Sequence, residues 1–213
     1  MQLRLSYFKF PFWRAEVSRI ALFLGDVPFE NHHPSRDEFR KMKTEGELPF
    51  GQLPILLVNG EVIAQTGAIA RFCGKLSGLY PENNALHAAR VDQLIDAATD
   101  ITNRVGLTMQ IKDSDEKLEA RRLLARDTLP LWLGYLESLL APSQSGFFVG
   151  EKMTIADIAI WRLNAWLKGG VLDGIPRDIL TPFPLLAAHC ERTEDTPRIR
   201  EWMTEQYSTR SAE

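Results

Sequence analysis

Two dipeptides in one short stretch of this chain have the chemistry to grip a small peptide. The first is Leu53-Pro54, just ahead of the apolar run Ile55 to Val58. Proline has no N–H to give a sheet and is normally kept to the start or edge of a strand, and an X–Pro bond loses most of the preference for trans. A cis bond here would leave the N–H and C=O of Leu53 pointing outward, free to pair with an extended peptide by strand addition. The second is Gln65-Thr66, a polar pair opening a helix whose N-terminus attracts a carboxylate. Each has an ordinary explanation, a strand edge and a helix cap. Together they suggest a short peptide lying along a strand with an acidic group at a helix end.

The two meet only if the chain between them reverses. Asn59-Gly60 supplies the positive φ angles of a tight type I′ turn, so Ile55–Val58 and Val62–Ala64 read as a hairpin. Upstream, Leu3, Leu5 and Tyr7 alternate with polar residues and give a strand ending near Phe8. Phe10 to Trp13 is a loop, and from Arg14 the period becomes helical, with Val17, Ile20, Ala21 and Leu24 on one face as far as Gly25. Val27 to His33, interrupted by Pro28, suggests an edge strand, and Ser35 can cap a short helix through Lys43. A third helix runs from Thr66 to Leu76 with Ile69, Phe72, Cys73 and Leu76 inward. The order β-α-β-α-β-β-α makes residues 1–76 a small α/β domain whose first two strands are parallel. A turn-rich linker covers 77–86, and 87–213 is all-α. Within it we expect helices from His87 to Ile111 and from Glu116 to Leu140, the latter bent at Pro130 with Leu123, Leu124, Leu131, Leu136 and Leu140 inward. Thr154 and Asp157 are spaced as a capping box ahead of a nearly all-buried helix. Two shorter helices, around Leu185–Arg192 and Arg198–Gln206, finish the chain.

Composition narrows the function. The 213 residues are 45% hydrophobic and 25% charged with net charge −3, which implies a globular chain without bulk attraction to nucleic acid or anionic lipid. No run approaches the ~20 apolar residues of a membrane span, so we expect no nucleic-acid or membrane partner. Cys73 and Cys190 are isolated in helical patterns and read as reduced packing residues of a cytoplasmic protein. His32-His33 is a poor metal pair, because neighbouring strand residues face opposite ways, and no metal is expected.

At this point the chain resembles the soluble glutathione transferases over nearly its full length. The resemblance rests on Tyr7 ending the first strand, Arg14-Ala15-Glu16 opening the first helix, and Pro49-Phe50-Gly51-Gln52-Leu53-Pro54-Ile55-Leu56. It continues through Gln65-Thr66-Gly67-Ala68-Ile69-Ala70-Arg71-Phe72 and the segment Thr154 to Ile158. The set looks most like the tyrosine-type, sigma-like classes. That resemblance implies a thioredoxin-like N-terminal domain, an all-α C-terminal domain forming a hydrophobic substrate pocket, a homodimer, and a detoxifying transferase that adds the glutathione thiolate to small hydrophobic electrophiles. A glutathione-dependent isomerase of the prostaglandin-synthase kind would share the thiol site, and a non-catalytic relative binding hydrophobic ligands or proteins would share the fold.

By the same resemblance Tyr7 donates to the glutathione sulfur and Arg14 supplies positive charge beside it. A free thiol with pKa ~8.5 is only a few per cent thiolate at neutral pH, and each unit of lowering is worth about 1.4 kcal/mol. Leu53 and Pro54 would hold the cysteinyl part, Gln65 and Thr66 the γ-glutamyl carboxylate, and Phe39, Lys43 and Gln52 the glycyl end. Asp92, Asp96 and Asp100 repeat at spacing four on one helical stripe. Such like charges repel by a few tenths of a kcal/mol per pair, and either basic neighbours such as Arg90 and Arg104 offset them or Asp100 reaches the γ-glutamyl amine of a partner subunit's glutathione. One feature departs from the family: its loop carries a glycine directly before the arginine and is one residue shorter, whereas Phe12-Trp13 stand here. That insertion leaves Ser6 as an alternative hydroxyl; Phe10, Phe12 and Trp13 read either as core residues or, the favoured reading, as walls of the second-substrate pocket.

Overall fold

A computed structural model describes residues 1–208; the expected helical domain's last residues, 209–213, lie outside the described residues. The α/β part comprises β1 (Leu3–Ser6), α1 (Trp13–Leu24), β2 (Glu30–His32), α2 (Arg36–Thr44), β3 (Ile55–Val58), β4 (Glu61–Ala64) and α3 (Thr66–Leu76). Its sheet has the order β2-β1-β3-β4, with β1 and β2 parallel and the other pairs antiparallel. The β3–β4 turn carries Asn59 at φ 50° and Gly60 at φ 91°, the left-handed pair that a tight hairpin requires. Ser35 caps α2 by accepting from the Glu38 N–H at 3.1 Å.

The rest is helical: α4 (Ala85–Met109), α5 (Ser114–Leu123), a π-turn (Leu124–Thr128), α6 (Leu129–Leu140), α7 (Ile155–Lys168), α8 (Pro184–Glu194) and α9 (Pro197–Tyr207). The expected single helix over Glu116–Leu140 is interrupted before the proline, not at it. The π-turn adds a residue to the helical repeat, so the inward face shifts to Leu129, Leu133, Leu136 and Leu140, while Leu123 and Leu131 are exposed. Pro130 stands in the first turn of α6, where its missing N–H costs nothing.

The core runs through the helix α1. It packs against α3 on its own side and against α7 of the helical part on the other, so Ala15, Val17, Ile20, Ala21 and Leu22 are all fully buried. One-faced amphipathicity would suit a surface helix; burial on nearly all sides marks a central one. Helix α3 also reaches α7 closely, because a Cβ on Gly74 would stand 2.8 Å from Ile155 Cγ2. The capping box forms as spaced. Asp157, wholly buried, accepts from Thr154 N–H at 2.7 Å and Phe148 N–H at 2.9 Å, and contacts His189 Nε2 at 3.0 Å. With the Thr154 hydroxyl also donating to it at 3.0 Å, all four lone-pair directions of that buried carboxylate are occupied, as its burial demands.

Candidate functional site

The sheet delivers Tyr7 directly beyond β1, with its N–H donating to the His32 carbonyl at 3.1 Å. Its carbonyl accepts from Arg19 Nη2 at 3.1 Å and lies 3.1 Å from His33 Nδ1. These are main-chain bonds, and among the described residues the Tyr7 hydroxyl has no partner. The ring is buried beside Phe8 and Phe10, with centroids 5.8 and 5.4 Å away. Burial raises the hydroxyl pKa to about 12, opposed in part by the Arg14 and Arg19 guanidiniums. At neutral pH this is a protonated donor, not a tyrosinate. Ser6 is spoken for: it is 1% exposed and bonded to His32 Nδ1 at 2.9 Å. Of the two hydroxyls considered from sequence, Tyr7 is the one left unpartnered.

Arg14 stands in the first turn of α1 and donates from Nη2 to Asn103 Oδ1 on α4 at 3.2 Å. Arg14 also lines a small, solvent-open cleft with Phe50, Gln52, Leu53, Pro54, Ala64, Gln65 and Thr66. Six residues singled out from sequence thus meet on one surface. The Leu53–Pro54 bond is cis, and neither the N–H nor the C=O of Leu53 has a hydrogen-bond partner among the described residues. Gln65, a non-glycine residue at φ 74°, opens α3 with no side-chain capping bond. Such a backbone costs on the order of 1–3 kcal/mol and persists where surrounding structure imposes it. Next to it, Thr66 Oγ1 is buried and unpartnered.

Phe39 and Lys43 lie outside this cleft. Phe39 is half-buried, edge-on to Phe8 at 5.4 Å. Lys43 is exposed beside the cleft, its Cε 3.3 Å from where a Cβ on Gly51 would sit. The aspartate stripe divides. Asp92 and Asp96 pair with Arg71, at 2.6 and 3.3 Å, rather than with the basic neighbours on their own helix. Asp100 is exposed, and only its main-chain carbonyl is engaged, by Arg104 at 3.0 Å. A larger cavity, about 1710 Å³ of empty space, lies between α4 and residues 138–152 and contains none of the candidate residues. Size favours that cavity. The unpaired peptide edge, the orphaned hydroxyl and the guanidinium favour the smaller cleft, because a polar ligand is bound by unmet donors and acceptors.

The inserted Phe12-Trp13 loop corrects one expectation. Trp13 is not a pocket wall: its indole is wholly buried and donates to Thr102 Oγ1 at 2.7 Å. Phe12 closes the seam with the helical part, 4.8 Å edge-on to Trp166, and only Phe10 stays open beside Tyr7. Sequence reasoning passed over the buried pair Glu16–Arg19, at 2.9 Å. A signal existed, since both charges sit among the apolar positions of α1; their partners on α9 were out of reach. Both cysteines are buried, with the Cys73 thiol pushed up to about 12 and Cys190 to about 11 by burial. Among the described residues no group of three His, Cys, Asp or Glu side chains could hold a metal ion.

Comparison with known proteins follows the same division of the chain. A model described as "Glutathione S-transferase, N-terminal domain" matches residues 3–74, and one described as "Glutathione S-transferase, C-terminal domain" matches 99–206. A glutathione S-transferase of Plasmodium yoelii yoelii is 30% identical over 178 residues, covering 84% of this chain and 79% of that protein. Glutathione S-transferase 1 of Ascaris suum is 29% identical over 98% of both. Among solved structures, the monomeric Na-GST-3 of the hookworm Necator americanus superposes with a TM-score of 0.81 at 28% identity, over 99% of this chain and 100% of that one. A sheet that ends in an unpartnered tyrosine, a cleft edged by an unpaired peptide group and matches spanning both parts of the chain have one explanation: this protein belongs to the glutathione S-transferase family.

Proposed function

We propose that the chain binds glutathione in the cleft and activates its thiol for attack on small hydrophobic electrophiles. The observation that carries this reading is the orphaned Thr66 hydroxyl at the N-terminus of α3. A buried donor without a partner is rare and costly unless a ligand completes it, and the first N–H groups of a helix add positive potential for a carboxylate. With the γ-glutamyl carboxylate on Thr66 and Gln65, the cysteinyl amide pairs with the free N–H and C=O of Leu53, beside Pro54. The glycyl end then runs toward Gln52, with Lys43 and Phe39 beyond. This orientation brings the sulfur toward Tyr7, whose protonated hydroxyl donates to it, and Arg14 adds positive charge nearby. Both effects favour the thiolate. The thiol proton leaves to solvent; the thiolate forms the C–S bond as the electrophile's leaving group departs.

The electrophile lies against apolar surface contributed by both parts of the chain. Phe10 stands open beside Tyr7, and Leu107, 65% exposed, is one turn beyond Asn103 on α4. We assign residues 1–76 as the thioredoxin-like glutathione-binding domain, 77–86 as linker and 87–213 as the helical domain. Dimerisation is supported by Phe50, 63% exposed at the cleft rim, by the exposed stripe Leu131, Tyr135 and Leu139, and by the unengaged Asp100 carboxylate. In that homodimer Asp100 meets the γ-glutamyl amine of the partner's glutathione. Sedimentation at micromolar concentration tests it, and a monomer refutes it. No helix among the described residues is long and apolar enough to cross a membrane, and we place the enzyme in the cytoplasm with a detoxifying role.

Conjugation of glutathione to an aromatic halide, with glutathione titrated by calorimetry, tests the whole reading. Saturable binding and conjugation are expected. Failure to bind glutathione would refute it.

A further inference from the structure

The main chain of Tyr7 is held by groups that trace back to the far end of the sequence. Its carbonyl accepts from Arg19, a guanidinium buried completely inside the molecule. Arg19 is ion-paired to Glu16 Oε1 at 2.9 Å, and Glu16 is equally buried. Glu16 in turn accepts two bonds from α9: Trp202 Nε1 donates to Oε2 at 2.9 Å and the Tyr207 hydroxyl donates to Oε1 at 2.6 Å. Arg19 Nη1 also donates to the Tyr207 oxygen at 3.3 Å. Burial and the Glu16 carboxylate both push the Tyr207 pKa well above its ordinary value, so its hydroxyl remains the donor. The other charged or titratable groups facing the cluster are His33, with Nδ1 3.2 Å from Arg19 Nη2, and Arg162, whose charge acts on Glu16 and Tyr207.

A buried ion pair is a poor choice for stability alone, because packed apolar side chains of similar volume often do as well or better. What the pair adds is direction. A guanidinium fixed by Glu16 donates along set lines, and one of them ends on the Tyr7 carbonyl. We propose that Tyr207 is a positioning residue, which fixes the Glu16–Arg19 pair and through it holds the Tyr7 hydroxyl in register with the thiol. The inference rests on the reading of Tyr7 as the donor to sulfur. It makes the last helix part of the thiol-activating apparatus, although α9 lies outside the cleft.

The experiment compares Tyr207→Phe with wild type in the full chain, measuring the ultraviolet thiolate absorbance of bound glutathione against pH and the steady-state kinetics with an aromatic halide. The ring and its packing remain; only the hydroxyl goes. We expect the bound thiol pKa to rise by roughly half a unit to one unit, which is about a 3- to 10-fold loss of thiolate at fixed lower pH. The kcat should fall by about that factor, recovering at high pH, with KM for glutathione within about twofold of wild type, as misplacement without lost binding predicts. Should that variant not fold, Tyr207→Leu, which removes the same hydroxyl and keeps an apolar side chain in its place, is measured instead. A wild-type thiol pKa and kcat in the α9 variant, while Tyr7→Phe raises the thiol pKa, would overturn the positioning role alone. A wild-type thiol pKa in Tyr7→Phe as well would remove the Tyr7 reading and this inference with it.

Discussion

Thr66→Val separates a binding hydroxyl from a structural one, because it should improve the fold and impair the function. Thr66 is 6% exposed, and its Oγ1 is buried without a partner. The residue opens α3 but makes no side-chain capping bond there. Valine has nearly the same shape and a similar helix propensity, so the substitution removes little besides an unmet hydroxyl. Burying a hydroxyl with no hydrogen bond costs about 1–3 kcal/mol by mutational data. The ligand-free variant should therefore gain roughly 1 kcal/mol or more, which in a chain of this size raises the thermal midpoint by about 2–4 °C per kcal/mol. Binding should move the other way. A hydrogen bond to a charged carboxylate is worth about 1.5–3 kcal/mol, so the Kd for glutathione should weaken about 10- to 100-fold. Thermal melts of the free protein and calorimetric titration read the two effects separately. A variant that melts earlier and binds glutathione as well as wild type would show the hydroxyl to be structural and refute the argument.

Tyr7→Phe should raise the bound thiol pKa by about one to two units, from loss of a hydrogen bond to a charged group worth about 1.5–3 kcal/mol. With the Tyr7 hydroxyl pushed up to about 12, the wild-type pH profile should show only the thiol's rise between pH 5 and 9, and an additional tyrosine limb in that range would contradict the donor role. Gly74→Ala should lower the thermal midpoint by a few degrees, read in melts of the two proteins: ~1 kcal/mol of helix propensity is gained, but ~1–3 kcal/mol is lost to crowding against Ile155 and Tyr80. Stability should also fall as pH drops below about 6.5. Burial holds the His33 pKa below its ordinary value, with Arg19 and Lys9 acting the same way against its bond to the Tyr7 carbonyl and Glu16. The unfolded chain therefore takes the proton first, the stabilisation present above 6.5 is lost toward acid, and His33→Gln should flatten that slope in melts run against pH.

Much of the site was legible because it is built from local chemistry. Asn59-Gly60 demands a tight turn wherever it stands between two apolar runs, and a proline ahead of a strand frees a peptide edge whatever packs behind it. The α3 N-terminus was readable too, from a polar pair followed by helical periodicity. The strain at Gln65 was not, since φ 74° at a non-glycine residue is imposed by surroundings. Leu123 and Leu131 were misplaced because a π-turn leaves no mark on the apolar pattern except the shift it causes. Trp13 was misplaced for a different reason: an indole at a helix start packs wherever the next domain puts a partner, and here that partner is Thr102, far along the chain.

From the residues alone came the α/β and all-α organisation, the hairpin, the capped helices and the Leu53-Pro54 and Gln65-Thr66 pairs of the cleft, because turns, caps and periodicity act over a few neighbouring positions; Arg14 and Gln52 came from the family resemblance. Tertiary structure decided which hydroxyl is free, with Ser6 committed to His32 and Tyr7 left open. It likewise decided that Arg71 neutralises Asp92 and Asp96, and that α9 reaches back to Glu16 and Arg19. Those contacts join residues separated by tens to nearly two hundred positions. Their energies depend on burial and direction, which exist only once the chain has folded.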